Sequence, residues 1–412
     1  MWGLIALLLL AWLMALVVLV LRHRSLLASL WAEPVLRRPV LIIESDDWGA
    51  GPLDQVEGLQ RLTAILSGYS DRDGRHPVMT LGLVLASADT QAIQANGLTE
   101  YERLGLGDER YVGLRQSIAA GVEQKVFAIQ LHGMEHYWPP ALIQSANSEE
   151  AVRQWLKADK FPQTEQLPSH LQSRWVNAAV LPSTPLAADQ ITAAVSEEVA
   201  VYHSLFAKAD SVVVPPTFVW NRLVEQAWKK NGIDVLVTPG QRYEGRDAAG
   251  CITPSTKRIF NGQRSEDGLI YIVRNDYFEP SLGHTSERVV SALKAKSSAG
   301  RPTLLETHRF NFIGTEQKTA TAFHELEKLL ARVSREFPET AFISTAELAR
   351  VYRDNDLVWL ADSFAARVQA LIDRCRAEYG LWRSFKLTGL ALLLTVVAMF
   401  LPIAQENIRG RA

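Results

Sequence analysis

The chain has 412 residues, enough for one large α/β barrel with terminal segments or for two or three average domains. Its 43 Lys and Arg against 45 Asp and Glu leave a net charge of −2 with no basic run, which removes the electrostatic footprint of a nucleic-acid-binding protein. Cys251 and Cys375 lie too far apart in sequence to suggest a disulfide framework or a Cys-based metal motif.

In chain order, Trp2 to Leu21 comes first. It carries no charge and matches the roughly 20 residues needed to cross a bilayer core. A signal peptide would normally open on a basic n-region, and no Lys or Arg precedes this run, so residues 1–21 predict an uncleaved transmembrane helix. From 39 to 350 apolar strands alternate with amphipathic helices. Strands are predicted at Val40 to Ile43, Val78 to Leu85, Val126 to Leu131, Ser211 to Val214, Asp234 to Val237, Leu269 to Val273, Thr303 to Leu305 and Ala341 to Ile343. Helices are predicted at Leu53 to Leu66, Gly113 to Ala120, Ala187 to Phe206, Val219 to Lys230, Ser286 to Ala295 and Thr319 to Arg335. Such alternation means a parallel sheet buried on both faces, here an α/β fold of the (β/α) barrel type with seven or eight units.

Two stretches break the rhythm, Tyr137 to Pro185 and Gln241 to Asp267, and both are predicted to be loop insertions that shape the mouth of the barrel. Residues 351–386 predict an amphipathic juxtamembrane segment. Leu387 to Ile403, polar only at Thr388 and Thr395, predicts a second span over 387–403. Arg22, Arg24, Arg37 and Arg38 follow the first span, and Arg374, Arg376, Arg383 and Lys386 precede the second. That bias predicts a barrel on the cytoplasmic face of the membrane.

Three predicted strands end on residues that carry chemistry. The first leads into Glu44-Ser45-Asp46-Asp47-Trp48-Gly49, the second into His132-Gly133-Met134-Glu135-His136, and the third through Glu306 and Thr307 to His308. Parallel barrels keep their active sites on the loops that follow the strands. A His-x-x-x-His pair alone arises often by chance. Joined to carboxylates from another strand end, it becomes a donor set that holds a divalent ion and leaves positions open for water, as catalytic Zn²⁺ requires. Trp48 and Trp220 follow motif residues closely and are candidate sugar platforms, although tryptophans more often fill cores. Glu135 is either a partner for a ligating imidazole or a solvated loop charge. Glu306, buried beside a cation, would need a counter-charge.

The order Ser45-Asp46-Asp47, His132-x-x-x-His136, Pro215-Pro216 and then His308 resembles the polysaccharide deacetylases, distorted (β/α) barrels that remove acetyl groups from glycans. Tyr271-Ile272-Val273-Arg274-Asn275 with Phe278-Glu279-Pro280-Ser281, and His308-Arg309-Phe310-Asn311-Phe312-Ile313-Gly314, are similar to motifs of a bacterial branch of that family. The resemblance covers roughly Val40 to Arg350. It implies Asp46 as general base, Asp47, His132 and His136 as ligands of a divalent metal, Zn²⁺ foremost, and His308 as general acid. It further implies deacetylation of a bacterial polysaccharide or lipid-linked glycan intermediate, with an acetylated sugar and membrane lipid as partners.

The sequence departs from the family in one respect. The usual Arg on the Pro-bearing strand is missing from Val212-Val213-Val214-Pro215-Pro216, and Arg274 is the nearest replacement. Arg274 and Asn275 are also candidate substrate contacts. The missing Arg leaves a second reading, a catalytically inactive glycan-binding or assembly protein. A third is another metal-dependent amide or ester hydrolase on the same barrel, because fold does not fix substrate.

Overall fold

The computed structural model describes residues 2–254 and 258–400. Nine strands form one parallel sheet: β1 (Val40–Gly49), β2 (Met79–Val84), β3 (Phe127–Leu131), β4 (Val212–Val213), β5 (Val235–Thr238), β6 (Ile270–Val273), β7 (Asp276–Tyr277), β8 (Thr303–His308) and β9 (Ala341–Phe342). The order is β6-β5-β4-β3-β2-β1-β8-β7, with β9 pairing the first residues of β1. The two ends of this path are joined. Arg274 donates its backbone N–H to Thr238 on β5, and the next residue, Asn275, donates to Leu304 on β8. One segment, 270–277, therefore crosses from one edge of the curled sheet to the other.

Period-2 alternation sorts the strand residues into two layers. Val40, Ile42, Val212, Val214, Val235, Val237, Ile270, Ile272 and Leu304 form an inner apolar cluster, with Leu348, Ala349 and Val351 of a helix, Thr345–Asp354, beneath them. Leu41, Ile43, Leu81, Leu236 and Leu305 belong to the outer cluster, where they meet the flanking helices. Those helices lie where the apolar spacing predicts, at Gln55–Ser67, Val112–Glu123, Ala188–Leu205, Arg222–Lys230, Ser286–Ser298 and Glu316–Glu336. Continuing upward, the inner parity of β1 reads Glu44 and Asp46, and that of β8 reads Glu306 and His308. The inside of the barrel is thus apolar below and ionic above.

The stretch predicted as a plain insertion, 137–185, contains two helices, Pro139–Ala146 and Glu150–Ala158. Val152, Trp155 and Leu156 of the second are buried in a satellite cluster with Tyr137 and Leu142.

At the N-terminus a single helix, α1 (Trp2–Ala32), runs eleven residues past the predicted span. Among the described residues it is the one helix long and apolar enough by itself to cross a membrane. The C-terminal run differs from its prediction. It is not one straight helix over 387–403: a helix at Tyr379–Leu387 meets another at Leu390–Phe400 with a bend of 97°. Gly389 at the break has φ +76, a conformation that ends a helix and suits glycine. Residues 401–403 of the predicted span lie outside the described residues.

Candidate active site

Consecutive residues of a strand point to opposite faces, so Asp46 and Asp47 cannot both enter the barrel from a regular β1. The register of β1 against β2 shifts between Ser45 and Trp48, and Asp47 adopts φ +70. This bulge turns Asp47 inward beside Asp46 and sends Trp48 outward. A left-handed aspartate persists only where its surroundings hold it. The same bulge corrects the expectation for Trp48. Its ring is fully buried in the outer core and its Nε1 donates to Ser45 Oγ at 2.8 Å, so it offers no face to a sugar.

His132 continues the inner face of β3 after Ala128 and Gln130. Its Nδ1 lies 2.9 Å from the carbonyl of Val214, which can only accept, so Nδ1 carries the proton and Nε2 keeps its lone pair. Gly133 then turns the chain back at φ +96; a Cβ there would sit 2.9 Å from the Glu135 carbonyl oxygen and 3.3 Å from Pro216 Cγ. The turn brings His136 to the same point. Nε2 of His132 and Nε2 of His136 lie 3.5 and 3.4 Å from Asp47 Oδ1.

The three ligand atoms of Asp47, His132 and His136 fall within 4.8 Å of one another, and all three residues are buried. Asp47 Oδ1 has no hydrogen-bond partner among the described residues. A buried carboxylate oxygen facing the Nε2 atoms of two imidazoles is an arrangement that a divalent cation would satisfy, so the donor set fits the metal expected from the sequence. Burial lowers the His136 imidazole to about 4, which keeps it neutral, as a ligand must be.

Asp46 stands on the other side of this cluster. Arg274 meets it in bidentate fashion, Nη1 to Oδ2 at 2.5 Å and Nη2 to Oδ1 at 2.8 Å, and its Nε donates to Glu44. Burial pushes the Asp46 carboxyl up, but the Arg274 guanidinium outweighs it and holds the group at about 2. Arg274 is therefore not the substrate contact expected from the sequence: it is 4% exposed and taken up by carboxylates. Gly82 on β2 makes room for Asp46, since a Cβ there would lie 2.4 Å from its Oδ1. Glu306 lies 3.7 Å from Arg274 Nη1, and burial raises its carboxyl.

His308 is in register with Asp46 across the β1–β8 pair. Its Nδ1 hydrogen-bonds Glu279 Oε1 at 2.6 Å, and Glu279 also accepts from Asn311. Burial works against a charged imidazole here, yet the Glu279 hydrogen bond and the carboxylates around it raise His308 to about 10. Asp46, Asp47, His132, His136, Glu306 and His308 line one cavity of about 350 Å³, with Glu165, Gln172, Phe218, Tyr277 and Phe310 in its walls.

Three further expectations are corrected. Trp220 is fully buried, donating from Nε1 to Glu225 at 2.8 Å, because it packs at the start of the Arg222–Lys230 helix. Asn275 bonds the Pro302 carbonyl and the Leu304 N–H, so it fastens the crossing segment to β8 rather than facing the cavity. Glu135 is buried between Arg103 and Arg174 and hydrogen-bonds neither histidine. Sequence reasoning missed the position of Glu279 beside His308 and of Glu165 and Gln172 in the wall. Glu279 stood inside a quoted motif, but only tertiary proximity reveals its partner.

No family model matches the chain, and no curated protein matches it significantly. Solved structures do align. One is a 4-alpha-glucanotransferase from Thermococcus litoralis, at TM-score 0.39 and 8% identity over 79% of this chain. The aligned part is 41% of that protein, so the chain spans about two fifths of its length. A candidate polysaccharide deacetylase from Mycobacterium smegmatis aligns at TM-score 0.40 and 13% identity, over 81% of this chain and 97% of the other. A candidate glycoside hydrolase/deacetylase from Parabacteroides distasonis aligns at 0.43 and 10%, over 79% and 74%. Likeness at these TM-scores carries no weight for function.

Proposed function

We propose that the protein is a membrane-anchored, metal-dependent deacetylase acting on an acetylated glycan. The observation that carries this reading is the convergence of Asp47, His132 and His136 beside an Asp46 held by Arg274. A divalent ion in that donor set would bring the pKa of water toward ~7 and polarise an acyl oxygen. Asp46 is ionised at any working pH and takes a proton at a carboxylate oxygen. His308, protonated with Nδ1–H held by Glu279, gives its Nε2 proton to the departing nitrogen or oxygen. The ion pair between Arg274 and Asp46 favours this reading over the inactive one, because it gives Asp46 the arginine partner that the Pro-bearing strand lacks. Phe218, Tyr277 and Phe310 supply the apolar surface, and Gln172 and Glu165 the polar groups, that a sugar ring requires.

The acid and base roles have separable consequences. Asp46→Asn and His308→Ala should each keep the metal and lose about 10²- to 10⁴-fold in turnover. The protonated form of His308 survives up to its raised pKa, so activity falls as pH rises through that value. A cation held by Asp47 would offset the share that Asp47 contributes and so would move the limb down. Glu279→Gln removes the negative charge that faces His308 Nδ1 and should move the alkaline limb to still lower pH in a pH–rate profile. An unchanged limb would take Glu279 out of the mechanism, and unchanged rates in either of the other variants would do the same for that residue.

Retention of α1 as an anchor is supported by its lower half. Leu30 is fully buried, and its carbonyl, with those of Glu33 and Pro34 just beyond the helix, accepts from Arg374.

A further inference from the structure

We infer that the protein works on glycan that extends away from the bilayer, and that sugar attached directly to a lipid in the same membrane is out of its reach. The inference rests on the deacetylase reading and on α1 as the membrane anchor. Its ground is where α1 joins the barrel. The chain leaves α1 at Ala32 and starts β1 at Val40, so the anchor meets the ends of the strands opposite those that carry the site. From Val40 to Asp46 is six residues of strand, roughly 20 Å at about 3.3 Å each.

The join is rigid. Arg374, 1% exposed, donates from Nη1 to Leu30 and Glu33 at 2.8 Å each, from Nη2 to Pro34 at 2.7 Å, and from Nε to Ala299 at 2.9 Å. It thereby ties the carbonyl end of α1 to the loop that precedes β8. Arg301 pairs with Glu33 at 2.6 Å, Leu36 N–H bonds Gly300, and Ala361 N–H bonds Val35. Every one of these contacts is made at the lower end of the barrel. With no slack between anchor and barrel, the domain cannot tip over to bring its mouth to the lipid surface.

The test uses the full chain in vesicles of phosphatidylcholine and phosphatidylglycerol. Three forms of one probe are compared, a fully acetylated oligomer of N-acetylglucosamine carrying both N- and O-acetyl groups. One is free in solution, one is joined to a lipid through a polyethylene glycol spacer longer than the barrel, and one is joined to the lipid directly. Free and spacer-linked probes should release acetate, and the directly linked probe should do so at least about tenfold more slowly, because a tether that cannot span the distance gives almost no effective concentration. A flexible Gly-Ser insertion after Leu21, on the membrane side of every contact that Arg374 makes with the end of α1, should raise the rate on the directly linked probe while leaving the rate on the free probe unchanged. Equal rates on the free and directly linked probes would overturn the inference and leave the deacetylase reading intact. No acetate from any probe would overturn both.

Discussion

Asp47→Asn and His132→Ala proteins should emerge from dialysis without their metal and without turnover. Asp47 Oδ1 is the atom both imidazoles face, and two remaining ligands cannot close a site. The loss of affinity should exceed the roughly 10- to 100-fold that follows removal of a ligand's outer hydrogen-bond partner. Metal content per chain, measured by atomic emission, checks this. Full stoichiometry in either variant would mean that the ion is held elsewhere. The fold should survive, because without the ion the site contributes a strained Asp47 and an orphaned oxygen rather than stability.

Arg274→Met should cost the protein a large part of its stability. It leaves Glu44, Asp46 and Glu306 as buried carboxylates around an apolar side chain, and breaking such a pair from one side costs about 3–5 kcal/mol. The pH dependence has a definite sign. In the wild type Arg274 holds the Asp46 carboxyl at about 2, so its contribution to stability is present in full above the ordinary carboxylate pKa and is lost as pH falls from there through the lowered value. In the variant the guanidinium no longer opposes the burial that pushes Asp46 and Glu306 up, so these two carboxylates take up protons more readily on acidification and the deficit narrows as pH falls. Urea denaturation at two pH values separates this from a packing defect, which would leave the deficit constant.

Much of this architecture was legible because the strands are continuous apolar runs and the helices carry regular stripes. The eight predicted strands all occur, and β7 was missed because two polar residues, Asp276 and Tyr277, carry no strand signal. The metal cluster was legible because its residues follow those runs directly. The bulge was not. Strict alternation would turn Asp47 outward and Trp48 inward, and only the register shift against β2 reverses both. The partners of Arg274 and His308 were hidden for another reason. They depend on segment 270–277 crossing between sheet edges, a property of the closed sheet that no local pattern encodes. The polar composition of 137–185 concealed two helices whose apolar stripes are only a few residues long. At the C-terminus hydropathy recorded an uninterrupted apolar run, while a single left-handed glycine bent it.

Metal-dependent deacetylation at the mouth of this barrel would be read out as acetate release. Purified full-length protein is incubated with the fully acetylated N-acetylglucosamine oligomer, first as isolated, then after chelation, then after Zn²⁺ is restored. Acetate should appear in the first and third conditions and vanish in the second, with Asp46→Asn slower than the wild type by about 10²- to 10⁴-fold in the metal-bearing conditions. Acetate release that persists undiminished after complete removal of the metal, or that Asp46→Asn sustains at the wild-type rate, would contradict the account.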